Sequence, residues 1–325
     1  MARKKWYKKP LRWILGTFLI LLILMNAFSA IQAYSCTHFK ENNEALTPNS
    51  TLSYNQIAKM LILGIEIPKP ITQKFPDRPY KTIAIETSEG KRLSAWTMQT
   101  DSISKGLFIF FHGYRDEKSM LLDYSYQLLD MGYNVMLIDF MGSDHSYGLQ
   151  TTIGYKEADN VKSAFDYASL VLKEENIYLL GFSMGAAAIL KAQHDYNIPA
   201  KGLIAEASYG TMFDTVKVRL GGQSFMSHLL AYMFTFWGGI TNDINAFEMN
   251  PEEFAKNISV PVLISCGGKD QYIPQSETQR IYDNIPVKKK MLKFYPECIH
   301  EPYLKKYPED WKENIKDFLN LTEQY

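Results

Sequence analysis

The chain has 325 residues, 46% hydrophobic and 22% charged. That composition supports one large core or two modest ones and excludes disordered and collagen-like classes. Thirty-five basic residues balance 35 acidic ones, but six of the basic residues lie within the first twelve positions. The rest is mildly acidic and has no electrostatic footprint for nucleic acid.

Arg3, Lys4, Lys5, Lys8, Lys9 and Arg12 open the chain, and no acid precedes Glu41. The run "WILGTFLILLILMNAFSAIQA" that follows carries no charge. A helix needs about 20 apolar residues to cross a bilayer, and flanking basic residues stay on the cytoplasmic side. Residues 1–39 are therefore expected to be a basic cytoplasmic segment and a single-pass signal-anchor, with the remaining chain outside. A cleaved signal peptide, giving a secreted protein, fits the same features, with Ala27-Phe28-Ser29 as a tolerable cleavage site. Cys36 raises a lipoprotein option that Tyr34 fits poorly. A buried soluble helix would need a polar face, and this run has none.

Residues 40–79 read as a linker. "LSYNQIAKMLILGI" has helical spacing, and "IPKPITQKFPDRP", with four prolines, should be extended. From residue 80 to the end the pattern alternates. "KTIAIET" and "RLSAWTM" form a hairpin across "SEGK". "GLFIFFHG" is a buried strand, "DEKSMLLDYSYQLLDMG" a helix, "YNVMLIDF" a strand and "YKEADNVKSAFDYASLVLKE" a helix. "NIYLLGF", "AKGLIAEAS", "VPVLISCG" and "KMLKFYP" are further strands. "MGAAAILKAQH", "SETQRIYDNI" and "EDWKENIKDFLNL" are helices. Apolar strands alternating with helices imply an α/β fold with a mostly parallel sheet covered on both faces. Ligands then bind beyond the carboxyl ends of the strands.

Those ends carry chemistry. His112-Gly113-Tyr114 follows "LFIFF", Asp139 follows "NVMLI", and Ser183 follows "IYLLGF". Glu206 follows "LIA", Gly267, Gly268 and Asp270 follow "PVLISC", and His300 follows "LKFYPECI". A serine, an acid and a histidine thus occur in that order, each past a strand. On "FFHGY", "DFMGSDHSYG", "GFSMG", "GGKDQYIP" and "IH", over residues 80–320, the chain resembles the α/β-hydrolase superfamily. Its nearest branch is that of monoacylglycerol lipases, serine aminopeptidases and related membrane-anchored hydrolases.

The resemblance implies a nucleophile elbow, in which Gly181 and Gly185 keep Cβ atoms out of a crowded strand–helix junction that presents Ser183. Serine needs a base, and the base an orienting acid. His300 is the expected base, because it alone follows the last strand. Asp270 is the expected acid, with Glu206 as its rival. The N–H groups of Met184 and Tyr114 should hold the oxyanion, each worth about 3 kcal/mol of barrier. The chemistry requires no metal and no cofactor. His112 is expected to shape the oxyanion loop. His145 lies in a loop near the site, and His38, His194 and His228 are surface or packing residues. Three departures from the family pattern stand out. Met141 replaces an arginine, Asp144 replaces a glycine, and Cys298-Ile299 displaces the glycine that usually comes shortly before the histidine. Cys298 itself should be a small packing residue.

Residues 209–257 are too long for a simple connection and should form a helical cap. "SFMSHLLAYMFTFWGGI" is apolar almost all round. Phe225, Met226, Met233 and Trp237 are expected to wall a hydrophobic substrate site, or the segment dips into the nearby membrane. The activity expected is hydrolysis of hydrophobic or lipid-like carboxylic esters through an acyl-enzyme. Peptidase and acyltransferase chemistry use the same triad, and an inactive hydrolase fold would serve as a binding module.

Overall fold

Eight strands form one sheet in the computed structural model, which describes residues 8–41, 54–222 and 224–323. In chain order the elements begin with helix α1 (Lys8–Thr37), the two-residue strand β1 (Phe39–Lys40), α2 (Tyr54–Leu63) and β2 (Ile67–Pro68). The hydrolase-like region then runs β3 (Lys81–Glu86), β4 (Arg92–Met98), β5 (Leu107–Phe111), α3 (Leu122–Asp130), β6 (Asn134–Ile138), α4 (Glu157–Asp166), β7 (Ile177–Phe182), α5 (Met184–Tyr196) and β8 (Gly202–Glu206). The insertion holds α6 (Met212–Arg219), α7 (Phe225–Asn242) and α8 (Pro251–Phe254). β9 (Val262–Gly267), α9 (Gln275–Asn284), β10 (Lys290–Tyr295) and α10 (Pro308–Glu323) complete the chain.

The sheet order is β10-β9-β8-β7-β5-β6-β4-β3. Strands β5 to β10 are mutually parallel, and the β3–β4 hairpin joins antiparallel through β4 and β6. Successive side chains point to opposite faces of a strand, and the core divides accordingly. Leu107, Ile109 and Phe111 of β5 enter one layer with Val161 of α4 and Ala186 to Ile189 of α5. Phe108 and Phe110 enter the other with Leu128 of α3 and Trp311, Ile315 and Phe318 of α10. Every position of β5, β7, β8 and β9 is buried. Their unbroken apolar runs are those of strands covered on both faces.

The segment expected to be a linker is more structured than its prolines suggest, although its residues 42–53 lie outside the described ones. β1 and β2 pair in parallel, bringing Phe39 opposite Ile67. Farther on, Lys74 meets Asp123 and Arg78 meets Asp130. Thr72 Oγ1 donates to Asp144 Oδ2 at 2.9 Å, and the Lys118 ammonium reaches Thr72 Oγ1, Asp139 Oδ2 and Asp144 Oδ2 at 3.1, 2.5 and 2.6 Å. Lys118 and both carboxylates are almost wholly shut off from water. The aspartate that replaces a family glycine is therefore one arm of a buried clamp joining the linker to the loops after β5 and β6.

α1 has two halves. Leu11, Ile14, Phe18, Leu21 and Leu24 are exposed, whereas Ser29, Gln32, Ala33 and Thr37 are buried. The second half lies along the cap. Phe28 meets Phe234 edge-on at 6.1 Å, and Asn242 Nδ2 donates to Thr37 Oγ1 at 3.0 Å. Gln32 Nε2 donates to the Met60 and Leu61 carbonyls of α2. The span Leu11–Thr37, with a mean hydropathy of 2.4 in its most apolar window, is long and apolar enough to cross a membrane, a property signal sequences share.

Removing one partner of a buried ion pair strands the other charge and costs about 3–5 kcal/mol. Lys118→Met should lower unfolding free energy by about that amount. Chemical denaturation followed by far-UV circular dichroism measures it.

Candidate active site

Ser183 sits between β7 and α5 with φ 53° and ψ −112°. This left-handed backbone is costly for a residue with a Cβ. Close approach enforces it. A Cβ on Gly185 would lie 2.1 Å from the Phe111 carbonyl oxygen, and one on Gly181 would lie 2.5 Å from Gly185 backbone. Neither position admits a side chain. Ala186, Ala187 and Ala188 are fully buried, so α5 rests directly on the sheet. Ser183 N–H donates to the Glu206 carbonyl of β8 at 2.8 Å, which holds the turn in place.

His300 follows β10 on the loop that leads to α10. Its Nε2 lies 2.9 Å from Ser183 Oγ, and its Nδ1 lies 2.7 Å from Asp270 Oδ2. Asp270 Oδ1 accepts from the amides of Tyr272 and Ile273 at 2.8 and 2.9 Å. Three donors converge on one carboxylate. An acceptor on that side requires a proton on Nδ1, which leaves Nε2 to accept from the serine hydroxyl. The imidazole is gripped on two sides. The Phe182 ring lies 5.2 Å away, and the Tyr272 ring stands edge-on at 5.7 Å. Tyr272 went unremarked in the sequence although it falls inside "GGKDQYIP".

The two glycines ahead of Asp270 serve the same approach. A Cβ on Gly267 would meet the Cys298 carbonyl at 2.6 Å, and one on Gly268 the Pro296 carbonyl at 2.4 Å. The histidine loop thus lies flat on the end of β9. Cys298 is fully buried and unpaired, and burial pushes its thiol up to about 11, so it packs as a neutral group.

The rival acid is occupied elsewhere. Glu206 Oε2 accepts from Tyr124 Oη and Oε1 from Trp311 Nε1, both at 2.8 Å, deep in the second core layer. Burial outweighs these bonds and raises its pKa to about 7.

His112 is buried. Phe140 N–H donates to its Nε2 at 3.1 Å, so its Nδ1 carries the proton and donates to the Gly113 carbonyl at 2.8 Å. Burial lowers its pKa to about 4. It is a neutral brace for the loop after β5. A Cβ on Gly113 would stand 3.7 Å from Ser183 Cβ, so this loop flanks the serine. Tyr114 follows, and its hydroxyl donates to the Cys36 carbonyl at 2.5 Å, near the end of α1. Met184 is the first residue of α5, where the N–H has no partner within the helix. His145 points into solvent, and His194 bonds Asn257 on the surface. His228 is also exposed. His38 stacks on Tyr34.

The cap residues divide. Ser224 caps α7 by accepting from Ser227 N–H, while Phe225 and Met226 beyond it are strongly exposed. Met233 is buried, and Trp237 Nε1 donates to Asn26 Oδ1 of α1 at 3.3 Å. A hollow of about 990 Å³ lined by Arg78, Tyr80, Leu107 and Asn134 lies at the opposite end of β5 and β6 from the serine and contains none of these groups. Among the described residues, no group of three or more His, Cys, Asp or Glu side chains is placed to hold a metal ion.

A profile of the family described as serine aminopeptidase, S33, matches residues 102–237 and 239–306. The chain belongs to that hydrolase family. Similar folds include the esterase Pf2001 of Pyrococcus furiosus, with a TM-score of 0.62 and 23% identity over 78% of this chain and 97% of that one. The esterase EaEST of Exiguobacterium antarcticum gives 0.56 and 19% over 74% and 100%. These likenesses establish the α/β-hydrolase fold. The uncharacterized protein YqkD of Bacillus subtilis is 29% identical over 181 residues, 54% of this chain and 58% of that protein. The chain therefore spans just over half the length of this relative.

Two outcomes follow from the geometry. Gly185→Ala should cost more than the ~1–3 kcal/mol of ordinary overpacking, because its Cβ meets backbone that cannot turn aside. Denaturation midpoints and loss of reactive serine both report it. Glu206 has a folded pKa near 7 against 4.5 as a free side chain. The folded protein therefore binds the extra proton between those values, and stability falls as pH rises through that window. In Glu206→Gln the drop in urea midpoint between about pH 5 and pH 8 should shrink.

Proposed function

We propose that this chain is a membrane-tethered serine hydrolase that cleaves carboxylic esters through an acyl-enzyme. The observation that carries the reading is the continuous relay from Ser183 Oγ through His300 to Asp270, at 2.9 and 2.7 Å. In this reading His300 Nε2 takes the hydroxyl proton as Oγ attacks the carbonyl carbon. The imidazolium that forms is stabilised by the carboxylate of Asp270. The carbonyl oxygen gains charge between the amides of Met184 and Tyr114. His300 then gives its proton to the leaving alcohol, and later takes one from the water that releases the acid.

The family description includes aminopeptidases, so amide cleavage is the second reading. An aminopeptidase must hold a free ammonium, which calls for a spare carboxylate near the relay. Arg219 lies one aromatic ring from His300, a cation that disfavours an ammonium there and so favours esters.

The tether is α1, with the domain outside the cytoplasm. The first half of that helix would lie in lipid. The second half runs beside α7, whose exposed Phe225, Met226, Tyr232, Phe236 and Ile240 would rest in the interfacial layer. The cap then serves the membrane with its outer face, and Met233 and Trp237 set its seat on the domain and on α1.

A fluorophosphonate probe should label the full-length protein and fail to label Ser183→Ala. Asp270→Asn should lower kcat on a short-chain ester by about 10⁴-fold, since the imidazole is then held in the wrong tautomer. Equal labelling of wild type and Ser183→Ala would overturn the reading. A panel of esters of rising chain length against aminoacyl amides separates the two chemistries. Protease treatment of intact cells, which should degrade the domain, tests the orientation.

A further inference from the structure

Several surface cations of this domain are paired with carboxylates, among them Arg78 with Asp130, Arg280 with Glu252 and Lys269 with Glu297. Two arginines beside the relay are not. Among the described residues, no carboxylate lies within ion-pair distance of Arg115 or Arg219.

Arg219 ends α6. Its Nη1 donates to the Thr215 carbonyl at 3.2 Å, and its guanidinium carbon sits 4.9 Å from the centre of the Tyr272 ring. That ring stands edge-on to His300. One phenol therefore separates the guanidinium from the imidazole that contacts the nucleophile. Arg219 is exposed, yet crowding by the surrounding protein draws its pKa below the usual guanidinium range, while Tyr272, Tyr114, Asp270 and Tyr209 act to raise it. The carboxylate among those neighbours, Asp270, is already taken by His300 and two amides.

Arg115 lies on the loop after β5. It directly follows Tyr114 and has φ 62°, a left-handed conformation that costs an ordinary residue of order 1 kcal/mol or more. It too is exposed, and the fields of both arginines reach the Tyr114 hydroxyl. Arg219 thus reaches the relay through the Tyr272 ring, and Arg115 directly follows the residue whose amide is proposed to face the reacting carbonyl. Among the described residues neither guanidinium is neutralised by a carboxylate, and an anion on the substrate would neutralise it.

We propose that Arg115 and Arg219 bind a phosphate or carboxylate carried by the ester substrate, so that the enzyme prefers anionic esters to neutral ones of equal chain length. The proposal rests on the hydrolase reading and narrows its substrate class. Guanidinium forks match the oxygens of both anions. Arg219 is already held by Tyr272 and the Thr215 carbonyl, so little freedom is lost when it binds.

Two pairs of substrates test it with the full-length protein in nanodiscs. One pair is an acylglycerol phosphate and the acylglycerol of the same chain. The other is a nitrophenyl ester ending in a carboxylate and its methyl-ended counterpart. The readout is the charged-to-neutral ratio of kcat/KM, which divides out general damage to the enzyme. The ratio should exceed one in at least one pair, and that pair identifies the anion. It should fall with salt. Arg219→Gln and Arg115→Gln should each lower it by about 10- to 100-fold, the range of one charge-assisted hydrogen bond. Arg219→Lys should retain more of it than Arg219→Gln. A ratio at or below one in both pairs, or one that neither glutamine variant changes, overturns the proposal while leaving the hydrolase reading intact. If no ester turns over and no probe labels Ser183, the hydrolase reading falls and takes this proposal with it.

Discussion

The arrangement depends on how closely one helix can approach one strand. With hydrogen at Gly181 and Gly185, α5 sinks until its backbone nearly touches the Phe111 carbonyl of β5. Ser183 is then forced into its left-handed turn and lifted above the sheet. The same contact sets where β5 ends, and so where Gly113 and Tyr114 lie relative to the hydroxyl. The turn that carries Ser183 and the loop after β5 share one support, which the neutral His112 braces from below.

Buried acids around this support take different states because they meet different partners. Asp270 receives three donors and completes the relay. Glu206 lies opposite a phenol and an indole, where burial prevails and the pKa rises. Asp139 and Asp144 share the Lys118 ammonium. Burial dominates at the first and raises it to about 7. At the second, burial is opposed and outweighed by Lys118 and Thr72, which hold it at about 2. One lysine therefore secures the chain ahead of β3 to two loops at the catalytic end of the sheet.

Much of this was legible in the residues. Unbroken runs such as "LFIFF" and "IYLLGF" gave strands covered on both sides, and the small residues after Ser183 gave a helix pressed on the sheet. The residue order favoured Asp270 over Glu206, but the partners that hold Glu206 were not legible. Contacts from distant α3 and α10 occupy Glu206. Lys118 reads as part of the polar run "DEKS", because its two aspartates lie 21 and 26 residues away. α7 is apolar on nearly every side, so periodicity could not reveal which face meets α1. Contacts between residues about 200 positions apart decide it. The pairing of β1 with β2 involves two residues each, too few to leave a pattern.

The bond from the Tyr114 hydroxyl to the Cys36 carbonyl has a mechanical consequence. Tyr114, whose amide the proposed mechanism uses, also fastens the loop after β5 to the C-terminal end of α1. In the proposed tethered enzyme, a displacement of that end of the helix against the domain would be passed to this loop.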